Sequence, residues 1–291
     1  MKRPKRLIDG IRRTLFKGRP VITALRLAIQ GRPISNPLTL LPARFDAYSV
    51  GSWVTFQRKG VHYRVDLSQR NEWNCFYNYF SPGHERFYKL LKPGYCVLDV
   101  GANIGHIASE MALRVVPGGK VVCFEPMPLT LARLKSLAEQ NPQLPLVIEA
   151  IGLSDVSEAR EMFLVAKNHS GANTFVEYPG SKPLGKTESL TLSTLDAYVQ
   201  RANLAVVHAI KIDVEGFEMR VLKGAHQTLA HHKPLLFIEI SQKHLAADGT
   251  TPEAVFTLLT GLGYTLYEAA SGAPILGSAP MPHFDLLALP A

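Results

Sequence analysis

The sequence predicts an α/β fold built on a doubly wound, mostly parallel sheet, and three observations carry that expectation. Short apolar runs recur from residue 96 to 240, namely "CVLDV", "KVVCFEP", "LPLVIEAIGL", "AVVHAIKIDV" and "PLLFIEI". Segments of helical periodicity separate them, as right-handed crossovers between parallel strands require. A glycine turn follows the first run, where such folds place a ligand.

Taken in order, the chain opens on a basic arm. Ten of residues 1 to 32 are Lys or Arg against Asp9 alone, a net +9, so the chain's +8 leaves about −1 for the other 259 residues. Leu7, Ile11 and Leu15, then Val21, Ile22, Leu25, Ala28 and Ile29 after "KGRP", have the spacing of two amphipathic helices with basic faces. Such a pattern rests on an anionic membrane surface or an acidic partner, or docks on its own domain. Residues 1–50 are thus expected to be arm and linker, the stretch from Pro33 to Val50 being Pro-rich and unpatterned. "WVTFQRKGVHYRVDL" alternates on both sides of Lys59-Gly60 and predicts a β-hairpin, and the aromatic "NEWNCFYNYF" predicts packing, together a segment 51–80 set on the main domain.

The main domain is expected over 81–291. Leu129, Leu131, Leu134 and Leu137 mark a helix after the second strand, and "GFEMRVLKGAHQTLAHH" marks one between the fourth and fifth. Between the third and fourth strands an insertion, 155–200, holds "EMFLVA", "KNHSGANTF" and "SLTLSTL"; insertions of that length are usually functional. "YTLYEA" and "FDLLAL" predict a closing hairpin. Cys75, Cys96 and Cys123 have neither disulfide nor zinc spacing, which fits a reducing cytoplasm, and no apolar run or cleavable leader predicts a membrane span or export.

The first strand ends in "LDVGANIG". A dinucleotide loop reads G-x-G-x-x-G and offers backbone N–H groups to a pyrophosphate. Here Asp99 precedes only two glycines, Gly101 and Gly105, with Asn103 between them. A carboxylate there repels phosphate and suits a ligand with an ammonium and a sulfonium, which is S-adenosylmethionine. The glycines would permit close backbone approach. Glu125, ending the second strand, would accept the ribose hydroxyls, and an NAD dehydrogenase is disfavoured by the same loop.

"LKPGYCVLDVGANIGHIASEMA", "GGKVVCFEPMPLTLARL", "IGLSD", "STLDAYV", "AIKIDVEGFEMRVLKGA" and "PLLFIEI" resemble, in order and spacing, the FkbM-type methyltransferases over residues 81 to 290. The resemblance implies a Rossmann-like class I methyltransferase with a seven-stranded sheet whose last strand is antiparallel. It also implies O-methylation of a sugar, glycolipid, polyketide or related metabolite hydroxyl. It places Asp99, Gly101, Asn103, Gly105, Glu125 and Asp213 on the donor site and Leu153 and Ser154, at the end of the third strand, near the adenine. Glu85 falls where the family often has a glutamate.

"IKIDVEGFE" carries the candidate chemistry. Lys211, Asp213 and Glu215 alternate, so a continuing strand would place them on one side. Crowded carboxylates raise one another's pKa and make a base near neutrality, and Lys211 is expected to pair with Asp213 or Glu239. Glu239, ending the fifth strand, could face Asp213; these two with Glu215 form a base pair or hold a divalent cation, and metal-free chemistry is the expectation. Glu215 and Glu218 alternatively only charge a helix start. His106 and His169 are weaker candidates near donor and substrate. The acceptor is expected to be a small molecule or glycan. RNA methylation, or an adaptor with a residual S-adenosylmethionine pocket, are the alternatives; the core shows no RNA-binding platform, and no nucleic-acid partner is expected.

Overall fold

The computed structural model describes residues 18–32, 36–78, 81–163 and 187–291. The first amphipathic series of the arm, His169 and most of the insertion lie outside the described residues. The chain forms two compact units that divide between Ser81 and Pro82.

In the first unit, helix α1 (Arg19–Ile29) starts on Pro20 and buries Ile22, Arg26 and Ile29, one stripe at helical spacing. Two short 3₁₀ turns, Pro37–Leu40 and Phe45–Ala47, occupy the stretch expected to be unpatterned. The hairpin is present: β1 (Trp53–Arg58) pairs antiparallel with β2 (Val61–Asp66) across Lys59-Gly60, both at positive φ as a primed two-residue turn requires. Helix α2 (Arg70–Tyr77) packs the aromatic segment, Phe76 lying edge-on to Phe56 at 5.2 Å.

The second unit opens with α3 (Pro82–Leu90) and then alternates: β3 (Cys96–Val100), α4 (His106–Val115), β4 (Lys120–Phe124), α5 (Pro128–Gln140) and β5 (Leu146–Glu149). After β6 (Gly152–Leu153), β7 (Glu158–Phe163), β8 (Thr187–Ser193) and α6 (Leu195–Arg201), the alternation resumes with β9 (Ala209–Ile212). It closes with α7 (Glu218–Lys223), α8 (His226–His232), β10 (Leu235–Ser241), α9 (Gln242–Ala247), α10 (Pro252–Gly261), β11 (Tyr264–Glu268) and β12 (His283–Pro290).

Seven strands form one sheet in the order β11-β12-β10-β9-β3-β4-β5. All are parallel except β12, antiparallel to both β10 and β11. Strand β3 is buried along its whole length, and the central strands read as continuous apolar runs because helices cover such sheets on both faces. Leu98, Ile210, Ile212, Ile238 and Leu286 join one core on this sheet. No helix among the described residues is long and apolar enough to cross a membrane.

Two expectations about strands fail. The third strand was expected to run through "LPLVIEAIGL" to Leu153 and Ser154, but β5 ends at Glu149. The chain then leaves the sheet, and Gly152-Leu153 pairs with β8 in a separate three-stranded sheet ordered β6-β8-β7. A side chain at Gly152 would meet Leu192 Cδ2 at 2.5 Å, so Leu192 packs into the space the glycine leaves at that crossing. Strand β9 stops at Ile212, so Lys211, Asp213 and Glu215 do not alternate along one strand; Glu215 and Gly216 take positive φ and turn the chain.

Candidate active site

The parallel register of β3 and β9 sets Asp99 beside Lys211. The Lys211 ammonium lies 3.1 Å from the Asp99 carboxylate and 3.5 Å from Asp213, and donates to the Gly101 carbonyl at 2.8 Å. Asp99 is fully buried and Lys211 is 3% exposed. Burial opposes the lysine's charge, yet Asp99 and Asp213 outweigh it and raise its pKa; burial likewise raises that of Asp99 against the pull of Lys211. Lys211 therefore pairs with Asp213 as expected and first of all with Asp99, a partner the sequence reading missed. Asp99, enclosed as it is, pairs with Lys211, which in turn holds the Gly101 carbonyl.

The glycine loop is held from within. Gly101 and Ala102 N–H both donate to the Phe124 carbonyl, Asn103 N–H to Glu125 Oε2, Ile104 N–H to Asn103 Oδ1 and Gly105 N–H to the Ala102 carbonyl. Five consecutive donors are thus satisfied, and the loop offers none of them to a phosphate. Packing and backbone conformation both require the two glycines. Both have positive φ; a Cβ at Gly101 would collide with the Asp213 carbonyl, and one at Gly105 would come within 2.5 Å of Leu134 Cδ1. They allow the chain after β9 and helix α5 to approach the loop closely.

Glu125 is buried at the end of β4. It accepts from Asn103 N–H, Met127 N–H and the Thr130 hydroxyl at 2.8, 3.0 and 2.8 Å, and burial raises its pKa. Three of about four acceptor positions are used, which leaves room for one further hydroxyl rather than two. Leu153 and Ser154 are buried in the smaller sheet, with Ser154 N–H donating to the Ser193 carbonyl.

Beyond the end of β9, the carboxylates of Asp213, Glu215 and Glu239 place oxygens within 4.8 Å of one another. That set offers three hard oxygen ligands and is the place among the described residues where a divalent cation fits. Asp213 is the accessible member, 41% exposed. Glu215 is 3.1 Å from His244 Nδ1, and its pKa is raised by burial despite the histidine and further by Asp213. Glu239 lies 3.6 Å from His283, and burial, then Asp213, Glu215, Glu218 and Asp285, push its pKa well above the usual range. Glu215 thus joins the site rather than merely charging a helix start. Glu218 is structural: its Oε1 accepts Val214 and Gly216 N–H at 3.2 and 3.1 Å, pinning the turn, while burial lifts its pKa to about 7.

Sequence reasoning missed four neighbours. Asp285 of β12 pairs in register with Glu239, and its pKa rises to about 7 through burial, Asp213 and Glu268. His84 of α3 is 3.9 Å from Asp285 and packs its ring at a tilt against Phe237, centroids 4.8 Å apart; burial and Lys211 lower its pKa to about 4, so it is neutral at pH 7. His244 and His283 complete the rim. The available signals were Asp285, polar inside the apolar "FDLLAL", and His84, adjacent to the chosen Glu85. Glu85 itself faces Arg114 at 3.9 Å. His106 begins α4, and no described contact brings it to the carboxylates.

A family model for the methyltransferase FkbM domain matches residues 99–266. The chain is 27% identical over 194 residues to the 2-O-methyltransferase NoeI of Sinorhizobium fredii, covering 60% of this chain and 76% of that one. It is 29% identical over 137 residues to the hexuronic acid methyltransferase AglP of Haloferax volcanii, covering 45% and 50%. It is 27% identical over 209 residues to the AMB antimetabolite synthetase AmbE of Pseudomonas aeruginosa, covering 60% of this chain and a tenth, 10%, of AmbE. The family match spans more than half of the 291 residues and includes the glycine loop, Lys211 and the three clustered carboxylates, so the chain belongs to the FkbM methyltransferase family.

Proposed function

We propose that the chain transfers the methyl group of S-adenosylmethionine to a hydroxyl of a carbohydrate or carbohydrate-bearing lipid. The observation that carries the reading is the carboxylate cluster of Asp213, Glu215 and Glu239 beside a glycine loop whose own donors are all satisfied. Such a site repels phosphate and favours a cation. The remaining acceptor position of Glu125 suits one ribose hydroxyl, and exposed Asp213 suits the donor's positive groups. Bound there, S-adenosylmethionine supplies an electrophilic methyl group on a sulfonium.

The chain's residues do the rest. The acceptor hydroxyl is aligned by hydrogen bonds to carboxylate oxygens, which accept well from the neighbouring hydroxyls of a sugar. Asp213, beside Glu239, takes its proton, and the burial that raises the pKa of Glu239 favours a proton in the pair. Lys211 keeps Asp213 in place and limits repulsion in the cluster. The chemistry needs no metal on this reading, although Asp213, Glu215 and Glu239 are the residues that would hold one. The names of NoeI and AglP, a 2-O-methyltransferase and a hexuronic acid methyltransferase, support a hydroxyl on a sugar-like acceptor. An RNA acceptor is disfavoured because its phosphates would face this acidic rim.

Labelled S-adenosylmethionine incubated with glycolipid and metabolite fractions tests the reading, with Asp213→Asn as control. Label transferred to a glycan by the wild type alone supports it. Absence of S-adenosylhomocysteine binding by calorimetry refutes the donor, and full activity in Asp213→Asn refutes the base.

A further inference from the structure

The first unit contains a cavity of about 450 Å³ that the methyl-transfer reading does not use. Ile22, Trp53, Val54, Phe56 and Phe76 give it apolar walls, and Arg26 of α1 is its one charged lining residue among the described residues. That volume is within the range of small-molecule sites. Arg26 is only 8% exposed, and its Nε has no hydrogen-bond partner among the described residues. Its guanidinium lies 5.0 Å from the centroid of Phe56 and 5.7 Å from that of Phe76. Arg58 lies 5.8 Å from the centroid of the same Phe56 ring, so two cations neighbour one aromatic ring.

Ring faces compensate part of the cost of enclosing a guanidinium, but they leave the Nε–H donor unmet. An anion at the cavity would supply the acceptor, and an apolar chain would fill the walls. We propose that this cavity binds an anionic membrane lipid, its headgroup on Arg26 and its acyl chain against Ile22, Val54, Phe56 and Phe76. Two features of the same unit favour a lipid over a soluble anion. The first 32 residues carry net +9, and Leu27, Leu38, Leu40 and Val50 expose large apolar side chains.

The arm's charge alone would attract anionic vesicles, so the test uses monomeric lysolipids with the full chain. Calorimetry is paired with tryptophan emission, because Trp53 lines the cavity. Lysophosphatidylglycerol is expected to bind saturably, and lysophosphatidylcholine at least about tenfold more weakly. Arg26→Gln is expected to bring the first down to the second, the loss of one charge-assisted hydrogen bond. Thr23→Phe, at an exposed lining position, keeps Arg26 but narrows the cavity and should weaken both lipids. Equal binding of the two lipids, or unchanged affinity in either folded variant, overturns the proposal. Inorganic phosphate binding as tightly as the lipid would also overturn it in favour of a free-anion site. Far-UV circular dichroism establishes folding, and should Arg26→Gln fail to fold, Thr23→Phe decides.

Discussion

Replacing Lys211 by Met isolates the interaction on which the site is built. The ammonium it removes is 3.1 Å from Asp99, which is fully buried, 2.8 Å from the Gly101 carbonyl and 3.5 Å from Asp213. Breaking a buried pair from one side costs about 3–5 kcal/mol, since the remaining charge has no water to turn to. For a domain of this size that corresponds to a fall in Tm of about 10–15 °C. Asp99 can escape by taking a proton. Its folded pKa would then stand above its unfolded one, so the loss should be smaller near pH 5 and grow as pH rises through that folded value. In the double variant Asp99→Leu, Lys211→Met both charges are gone, and stability should return to within about 1 kcal/mol of wild type. S-adenosylhomocysteine binding should not return, because the Gly101 carbonyl and Asp213 stay unanchored. Both tryptophans, Trp53 and Trp73, precede Ser81 and so report on the other unit. Unfolding is therefore followed by far-UV circular dichroism, with calorimetry for the ligand. A cost below about 1 kcal/mol in the single variant, or wild-type affinity in the double one, would refute the reasoning.

Glu218→Gln keeps an oxygen for the Val214 and Gly216 N–H groups but removes a carboxyl whose pKa burial raises to about 7. A raised folded pKa makes the wild type lose stability as pH rises from about 4.5 to 7; the variant should match it at pH 4 and exceed it by about 3 kcal/mol at pH 8, and equal melting temperatures at both pH values would exclude this. Gly101→Ala should abolish S-adenosylhomocysteine binding, because the added Cβ meets the Asp213 carbonyl at positive φ. Gly94→Ala, also at positive φ but with nothing within 4 Å, should cost only about 1 kcal/mol and leave binding intact, so similar behaviour of the two would remove the packing argument. Methyl transfer should survive exhaustive dialysis against EDTA within about twofold, and recovery that requires added Mg²⁺ or Mn²⁺ would assign Asp213, Glu215 and Glu239 to a metal instead.

The sheet was legible because its central strands are buried on both faces and announce themselves as apolar runs broken by turns. The loop ligands were legible as residue types, but not as contacts. Asp99 and Lys211 are 112 positions apart and meet only through the register of two parallel strands, which no local pattern encodes. The same limit hid His84 and Asp285, which reach the cluster from the first helix and the last strand of the unit. Leu153 and Ser154 were misplaced for the opposite reason. An apolar stretch continues through "LVIEAIGL", and hydrophobicity alone does not show that the chain changes sheet at Gly152.

The charge inventory of the site bears on why so many carboxylates are tolerated there. Lys211 is shared among Asp99, the Gly101 carbonyl and Asp213, while Glu215, Glu239 and Asp285 have histidines at 3.1, 3.6 and 3.9 Å. Burial and mutual repulsion raise the pKa of Glu215, Glu239 and Asp285, so the cluster favours gaining positive charge. On the proposed reading it has that charge at both ends of the reaction: the cationic donor before transfer, and afterwards the proton that Asp213 and Glu239 take from the acceptor. The local charge is then conserved while the bond order changes, so little protein reorganisation is needed as the methyl group moves. A proton held in the resting cluster would compete with the donor. Donor affinity should therefore strengthen as pH rises through about 7, where Asp285 ionises, and that dependence should flatten in Asp285→Asn.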